Sequence, residues 1–215
     1  MVKSGRQLQS GSIYQVRRNG RIHVVAEDYS YKTECYYTLL SRELSGEPVD
    51  PDSQTVLDAA VVPLCLGRAS RAGIMVADCI ISQSCTDHLP AVLYGLNYFS
   101  SSSEFSVVRT PADEREVIRH ITNNGKYPFC YQPLGEEDEM VTATAIFGNS
   151  PDQGPEVGKA AGVLYAEFRI PLMTLVFIRG SQGYRLSSLA PARYSSLSSA
   201  ERALLSAYIT GQEFL

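Results

Sequence analysis

Residues Arg21–Leu40 read RIHVVAEDYSYKTECYYTLL, and this stretch decides how the fold is interpreted. Apolar and polar residues alternate over Arg21–Ala26 as in a strand, and the preceding Asn19-Gly20 dipeptide favours a type I′ hairpin turn. From Thr33 to Leu44 the large apolar residues recur at helical spacing instead. The pattern predicts a strand that is followed, across a tyrosine-rich corner, by an amphipathic helix.

Strand and helix patterns alternate through most of the remaining sequence. Leu172–Arg179 and Gly183–Leu189 predict a second hairpin, and Ser198 and Glu201 have capping-box spacing at the start of the last helix. Leu89–Phe99 is predicted to be helical, with a proline in its first turn. The predicted fold class is α/β, a single domain in which a mixed sheet has flanking helices and two β-hairpins.

Two apolar runs leave their conformation open. Ala60–Leu66 and Ile74–Ser82 are each short enough for a buried strand, but their periodicity does not exclude a helix. The glycine-bounded segment Gly67–Gly73 between them contains two arginines, and we interpret it as a surface turn in preference to an anion site.

The composition excludes several functional classes. Of the 215 residues, 44% are hydrophobic and 20% are charged, which is typical of a soluble globular protein. The net charge is −4 and the basic residues are scattered, so nucleic acid is not an expected partner. No apolar run approaches the length of a membrane span, and the N-terminus lacks the apolar core of a signal peptide. We expect a cytoplasmic protein.

The five cysteines include no C-x-x-C pair and are expected to be reduced. Cys65 and Cys79 lie in apolar runs and are interpreted as small core residues. Cys85 has a histidine, His88, three residues later, and these two form a candidate nucleophile pair.

Neither a cofactor nor a metal is expected. The glycine-rich motifs that bind dinucleotides and nucleoside triphosphates are absent, and the three histidines lack zinc-ligand spacing.

Glu27 and Asp28 form the best polar site candidate, because they follow a strand at the edge where open α/β sheets bind ligands. The alternative is that Asp28 caps the following turn or helix.

The stretch Arg21–Leu40 resembles a signature of the domain that precedes RimK-like ATP-grasp ligases. In that family a strand leads to a Tyr-x-Tyr step, then to a Tyr-Tyr pair and a Leu-Leu pair on the next helix. Cys35 stands where the family usually has glycine. A second set of segments is similar to the family's closing hairpin: Phe147-Gly148-Asn149, a helix ending at Phe168, Pro171-Leu172-Met173, Tyr184-Arg185-Leu186 and Leu189-Ala190-Pro191.

This resemblance implies a domain division and a missing catalytic part. Residues 1–20 are expected to form an N-terminal arm with a hairpin strand, and residues 21–215 a domain of the type that precedes RimK-like ATP-grasp domains. The sequence given stops at Leu215, so the resemblance implies that the ATP-grasp domain is absent.

The function that follows is a stand-alone substrate- or partner-recognition module associated with an ATP-dependent carboxylate–amine ligase, and not catalytic alone. Its partner would be a ligase subunit or a peptide or amino-acid ligand. The candidate substrate-binding residues are Glu27, Asp28, Tyr29, Tyr31, Tyr36 and Tyr37. Packing in the core is the alternative for the Tyr36-Tyr37 pair.

Two other functions stay open. One is a small-molecule enzyme that uses Glu27 and Asp28, or Cys85 and His88, as its chemical groups. The other is a structural subunit that forms homo-oligomers, for which the exposed edges of the two hairpins are the only indication.

Overall fold

A computed structural model describes residues 9–97, 100–151, 153–210 and 213–214. Residues 1–8 of the predicted arm lie outside the described residues. The described chain contains six α-helices and three sheets, and the predicted single α/β domain with a mixed sheet is confirmed. None of the described helices has the length and apolar composition needed to cross a bilayer.

The helices and strands follow one another along the whole chain. The α-helices are α1 (Glu34–Leu44), α2 (Ser53–Ala60), α3 (Val62–Arg71), α4 (Pro111–Ile121), α5 (Pro155–Phe168) and α6 (Ser199–Ile209). The strands are β1 (Tyr14–Arg18), β2 (Arg21–Val25), β3 (Val49–Asp50), β4 (Ile80–Ser82), β5 (Ala91–Gly95), β6 (Ser106–Val108), β7 (Phe129–Pro133), β8 (Glu139–Ile146), β9 (Leu172–Gly180), β10 (Gly183–Pro191) and β11 (Glu213–Phe214).

The three sheets have the strand orders β11-β1-β2-β3, β10-β9-β8 and β4-β7-β5-β6. In the first sheet β1 pairs with β2 in antiparallel orientation and β2 pairs with β3 in parallel orientation, so this sheet is mixed. In the third sheet β7 pairs in antiparallel orientation with β4 on one side and β5 on the other, and β4 is the edge strand of this sheet.

Local signals in the sequence correctly predict the turn between β1 and β2 and the start of helix α6. Asn19 and Gly20 have φ values of 51° and 76°, as a type I′ turn requires, and they connect β1 to β2. The predicted capping box of α6 is also confirmed: Ser198 Oγ accepts from the Glu201 backbone N–H, and the Glu201 carboxylate accepts from the Ser198 N–H.

The predicted helix at Leu89–Phe99 is wrong, because Ala91–Gly95 forms strand β5. Residues 98–99 of that prediction lie outside the described residues. Strand β5 pairs with β6 on one side and β7 on the other, and its first four residues are all buried. A central strand that is covered on both faces has a continuous apolar run, which the sequence alone does not distinguish from a short buried helix.

The sequence left the conformation of two apolar runs open. The first, Ala60–Leu66, continues into helix α3, and the second, Ile74–Ser82, contains the short strand β4.

Contacts between Cα atoms divide the chain into two compact units. The first consists of Met1–Leu57, Ala143–Thr174 and Pro191–Leu215, as far as these are described. Its core includes Tyr14, Val16, Val25, Ile146, Leu172, Tyr194 and Leu205. The second consists of Asp58–Thr142 and Leu175–Ala190. Its core includes Ala91, Leu93, Val108, Ile118, Phe129 and Tyr131.

Candidate functional site

Three of the predicted site residues form one aromatic surface in the first unit. Tyr31 and Tyr37 are 50% and 56% exposed, and the buried Tyr36 lies between them. The Tyr36 ring meets Tyr31 edge to face at a centroid distance of 5.4 Å and Tyr37 at 6.3 Å. Lys32 Nζ lies 5.3 Å from the Tyr31 centroid. We call Tyr31, Tyr36 and Tyr37 the tyrosine surface.

The turn before α1 holds this surface in place. Asp28 Oδ1 accepts from the Ser30 N–H at 2.7 Å, and Thr33 Oγ1 donates to the Ser30 carbonyl at 2.8 Å. Thr33 is the N-cap of α1 and its Oγ1 accepts from the Tyr36 N–H. The rings therefore project from a hydrogen-bonded turn and the first helical turn, which limits their motion.

Asp28 thus caps a turn, and two other predicted site residues are also engaged inside the fold. Tyr29 is buried, and its hydroxyl donates to the Val24 carbonyl at 2.7 Å and accepts from the Ala26 N–H at 3.1 Å. Burial raises the pKa of Tyr29 well above its usual value, so its phenol stays neutral.

The Glu27 carboxylate connects three segments of the first unit. It accepts hydrogen bonds from the Gly11 N–H at 2.7 Å, from Ser10 Oγ at 3.0 Å and from the Tyr194 N–H. These donors already occupy both of its oxygens, so the carboxylate is a structural acceptor.

A second aromatic group in the first unit was missed by the sequence analysis. Phe147 stacks on Tyr208 at a centroid distance of 4.7 Å and meets Tyr165 edge to face at 5.8 Å. Arg18 Cζ lies 4.6 Å from the Tyr208 centroid and 5.5 Å from that of Phe147. The residues of this group come from separate helices, strands and turns. In the sequence, only the Phe147-Gly148-Asn149 motif could have drawn attention to one of them, Phe147.

His23 lies beside this second group in an unusual position. It is only 6% exposed, and its ring meets Phe147 edge to face at 5.7 Å. Its Nδ1 has no hydrogen-bond partner among the described residues and lies 3.9 Å from Asp50 Oδ2. Asp50 accepts instead from Arg21 Nε and Nη2, at 2.7 Å each. Burial lowers the pKa of His23 despite the nearby Asp50 carboxylate.

The predicted pair of Cys85 and His88 is not formed in the described structure. Cys85 Sγ contacts Ser84 Oγ at 3.7 Å, whereas His88 Nε2 lies 3.3 Å from the Leu134 carbonyl oxygen. His88 lines an open cleft of about 380 Å³ in the second unit, together with Arg185. Arg185 is paired with Asp138 at 2.6 Å, so the cleft presents no free positive charge from that side chain.

Three buried polar residues of the second unit, Tyr94, Gln132 and Ser187, are joined by hydrogen bonds. Ser187 Oγ donates to Gln132 Oε1 at 2.7 Å, and Gln132 Nε2 donates to the Ser187 carbonyl at 2.7 Å. The Tyr94 hydroxyl lies 2.6 Å from Ser187 Oγ, and burial raises the pKa of Tyr94 to about 12. The hydrogen bonds among these three residues involve no charged group.

No protein-family model and no curated protein matches the sequence. Solved structures do match. A RimK domain ATP-grasp protein from Sphaerobacter thermophilus is 12% identical with a TM-score of 0.57, over 81% of this chain and 77% of that one. The ATP-grasp ligase PsnB, complexed with a phosphomimetic variant of its minimal precursor, Mg and ADP, is 12% identical with a TM-score of 0.52, over 93% and 85%. D-alanine-D-alanine ligase from Helicobacter pylori is 13% identical with a TM-score of 0.51, over 72% and 58%.

These matches correct the predicted family and function. ATP-grasp ligases themselves match 72% to 93% of this chain, so the chain has the ATP-grasp fold. The prediction of a preceding domain that lacks the ATP-grasp part is wrong, and so is the prediction of a recognition module beside a separate ligase. A strand, an aromatic corner and a helix are features that many α/β layers share, which is why the corner Arg21–Leu40 suggested the wrong domain.

The described side chains form no preformed metal site for a magnesium nucleotide of the kind that PsnB is complexed with, although one or two carboxylates together with the phosphates are enough to hold Mg²⁺. No group of three or more His, Cys, Asp or Glu residues is close enough to hold a metal ion in the described ranges. The interior of the second unit offers the neutral network of Tyr94, Gln132 and Ser187, whereas triphosphates and their metal ions are held by charged side chains and glycine-rich backbone. No chemical step is therefore assigned to a bound nucleotide.

Replacing Glu27 should test its structural role. Glu27→Gln keeps the shape but places an amide N–H₂ against backbone donors, so the free energy of unfolding should fall by about 2–3 kcal/mol, as for hydrogen bonds to a charged group. Urea denaturation measures the change. Asp28→Asn is the matched control, because its Oδ1 still accepts from Ser30 and little stability should be lost. Equal stabilities for Glu27→Gln and wild type would contradict the role.

The buried His23 should make stability depend on pH. Its pKa is lowered in the folded state from 6.5, so below pH 6.5 the unfolded chain binds the proton first. The free energy of unfolding should fall as the pH drops below that value, until the folded-state pKa is reached. Denaturation of wild type and His23→Phe across this range measures the difference, with His120→Gln, at an exposed site, as the control. Identical pH slopes for wild type and His23→Phe would contradict the expectation.

Proposed function

We propose that this chain is a peptide ligase of the ATP-grasp type, which binds its peptide substrate on the tyrosine surface. The observation that carries the proposal is the extent of the fold match, which spans most of both chains for the RimK domain protein and for PsnB. PsnB has been solved in complex with its minimal precursor, so this fold accommodates that ligand in that protein.

The chemistry of the tyrosine surface suits a peptide. Tyr31 and Tyr37 each expose about half of a rigid amphipathic ring, which offers apolar area and a hydroxyl for peptide N–H and C=O groups. Such side chains contribute large contact area at low entropic cost. Because their hydroxyls appear in no hydrogen bond of the described residues, they are available to a ligand.

The apolar surface continues along α1. Leu44 is 87% exposed and lies seven residues after Tyr37, close to two helical turns. Seven residues of helix rise by about 10 Å, which matches roughly three residues of an extended peptide. An extended peptide could therefore contact Tyr31, Tyr37 and Leu44 in succession, and Lys32 favours an acidic residue near the Tyr31 end.

Peptide binding should depend on the two exposed tyrosines. A phage-displayed library of random linear peptides is selected on the purified chain, and the affinity of an enriched peptide is measured by calorimetry. Tyr31→Ala and Tyr37→Ala should each weaken binding about tenfold, or roughly 1.4 kcal/mol, as for aromatic residues at the centre of an interface. Tyr127→Ala, at a half-buried tyrosine of the second unit, is the matched control. Unchanged affinity in both tyrosine-surface variants would place the peptide elsewhere.

Ligase activity is a separate measurement. The chain is incubated with Mg-ATP, the enriched peptide and a mixture of free amino acids, and ADP release and peptide mass are followed. A peptide-dependent release of ADP, with a matching mass increase of the peptide, is the expected result. Peptide binding without any ADP release would overturn the ligase half of the proposal and leave the tyrosine surface as the binding site.

A further inference from the structure

Two cysteines of the second unit lie on one face of neighbouring strands. Strand β4 pairs with β7 in antiparallel register, with Ile81 opposite Cys130 and Ile80 opposite Tyr131. Cys79 directly precedes β4, and continuing this register places it opposite Gln132. Residues two apart on a strand share a face, so the side chains of Cys79 and Cys130 are diagonal neighbours. This register brings the two thiols near one another, and each shifts the pKa of the other.

The two thiols have different surroundings. Cys79 is partly exposed, whereas Cys130 is fully buried. Hydrogen bonds from the Cys130 thiol and from the Gln132 side chain stabilise the Cys79 thiolate and lower the pKa of Cys79. The same neighbour and burial raise the pKa of Cys130. Cys79 is therefore the more accessible of the two sulfurs and the one whose thiolate is favoured, and the buried Cys130 thiol lies beside it.

We propose that Cys79 and Cys130 form a reversible redox pair that responds to hydrogen peroxide. The Cys79 thiolate attacks one peroxide oxygen, the O–O bond breaks, and with one proton taken up the products are Cys79 sulfenic acid and water. The Cys130 sulfur then attacks the Cys79 sulfur, the S–O bond breaks, and the Cys130 proton leaves with the hydroxyl as a second water. One peroxide is reduced by two electrons, and the two thiols are oxidised to one disulfide.

Strand β4 is able to make the small shift that this bond requires. Diagonal neighbours in an antiparallel pair have Cα atoms about 7–8 Å apart, slightly beyond the roughly 4.4–6.8 Å of a disulfide. β4 is three residues long, lies at the edge of its sheet and exposes Ile80 and Ile81. An edge strand has a hydrogen-bonded partner on one side only, and the bond would fix this edge to the buried strand β7. Gln132 would lose its thiolate partner at the same time.

Peptide mass spectrometry of the full-length chain tests the pair. After peroxide treatment and blocking of free thiols, we expect a peptide that links Cys79 to Cys130, lighter by two hydrogen atoms than the sum of the reduced peptides, which dithiothreitol separates again. In Cys130→Ser, dimedone should label Cys79 as a sulfenic acid, and in Cys79→Ser it should not label Cys130. Because the first readout uses the wild-type chain, it does not depend on the folding of a variant.

Cys65 and Cys85 are the internal controls. Cys65 is buried and should stay reduced, and the exposed Cys85 should be blocked or oxidised without joining the linked peptide. The redox pair would be overturned if Cys79 stayed reduced at peroxide concentrations that oxidise Cys85, or if Cys79 became linked to Cys85 instead of Cys130. Neither result would bear on peptide binding or ADP release.

Discussion

The first unit depends on one carboxylate whose charge must be satisfied. Glu27 follows strand β2, and its oxygens accept from residues 10 and 11 and from the backbone of Tyr194, which is 167 residues further along the chain. Charge-assisted hydrogen bonds to this half-buried carboxylate are stronger than neutral ones, so these segments are held together at the end of β2. The direction of the corner that follows, and with it the exposure of Tyr31 and Tyr37, rests on this arrangement and on the two hydrogen bonds of the Tyr29 hydroxyl.

Features with a local cause could be predicted from the sequence. Asn19 and Gly20 adopt the positive φ angles that these two residue types tolerate, and Ser198 caps the helix that follows it. These signals involve residues at most a few positions apart, so no tertiary contact decides them. The same holds for Asp28, for which capping was the alternative to ligand binding, and the hydrogen bond to Ser30 shows that it caps a turn.

Features that depend on residues far away in the sequence could not be predicted from it. Ala91–Gly95 is a strand because β6 and β7 cover its edges, and nothing within the segment itself indicates this. Phe147, Tyr208 and Arg18 meet only once β1, the turn after β8 and helix α6 have assembled. Glu27 has the residue type and the position of a ligand-binding carboxylate, and only the donors that reach it from distant segments reveal a structural role. For the six candidate site residues, the sequence does not indicate which ones remain accessible, because their burial depends on these distant contacts.

The hydrogen bonds among Tyr94, Gln132 and Ser187 hold part of the second unit together without a nucleotide. A fold requires that buried polar atoms be satisfied, and these three residues make ordinary hydrogen bonds with one another. These hydrogen bonds involve no charged group, metal ion or phosphate. The strands that carry the three residues can therefore keep their conformation without a bound ligand. A fold match at 12% identity therefore defines the backbone, whereas the chemistry has to be argued from side chains. We propose the exposed tyrosines on α1 and its preceding turn as the ligand site of this chain, because they combine apolar area with a rigid support.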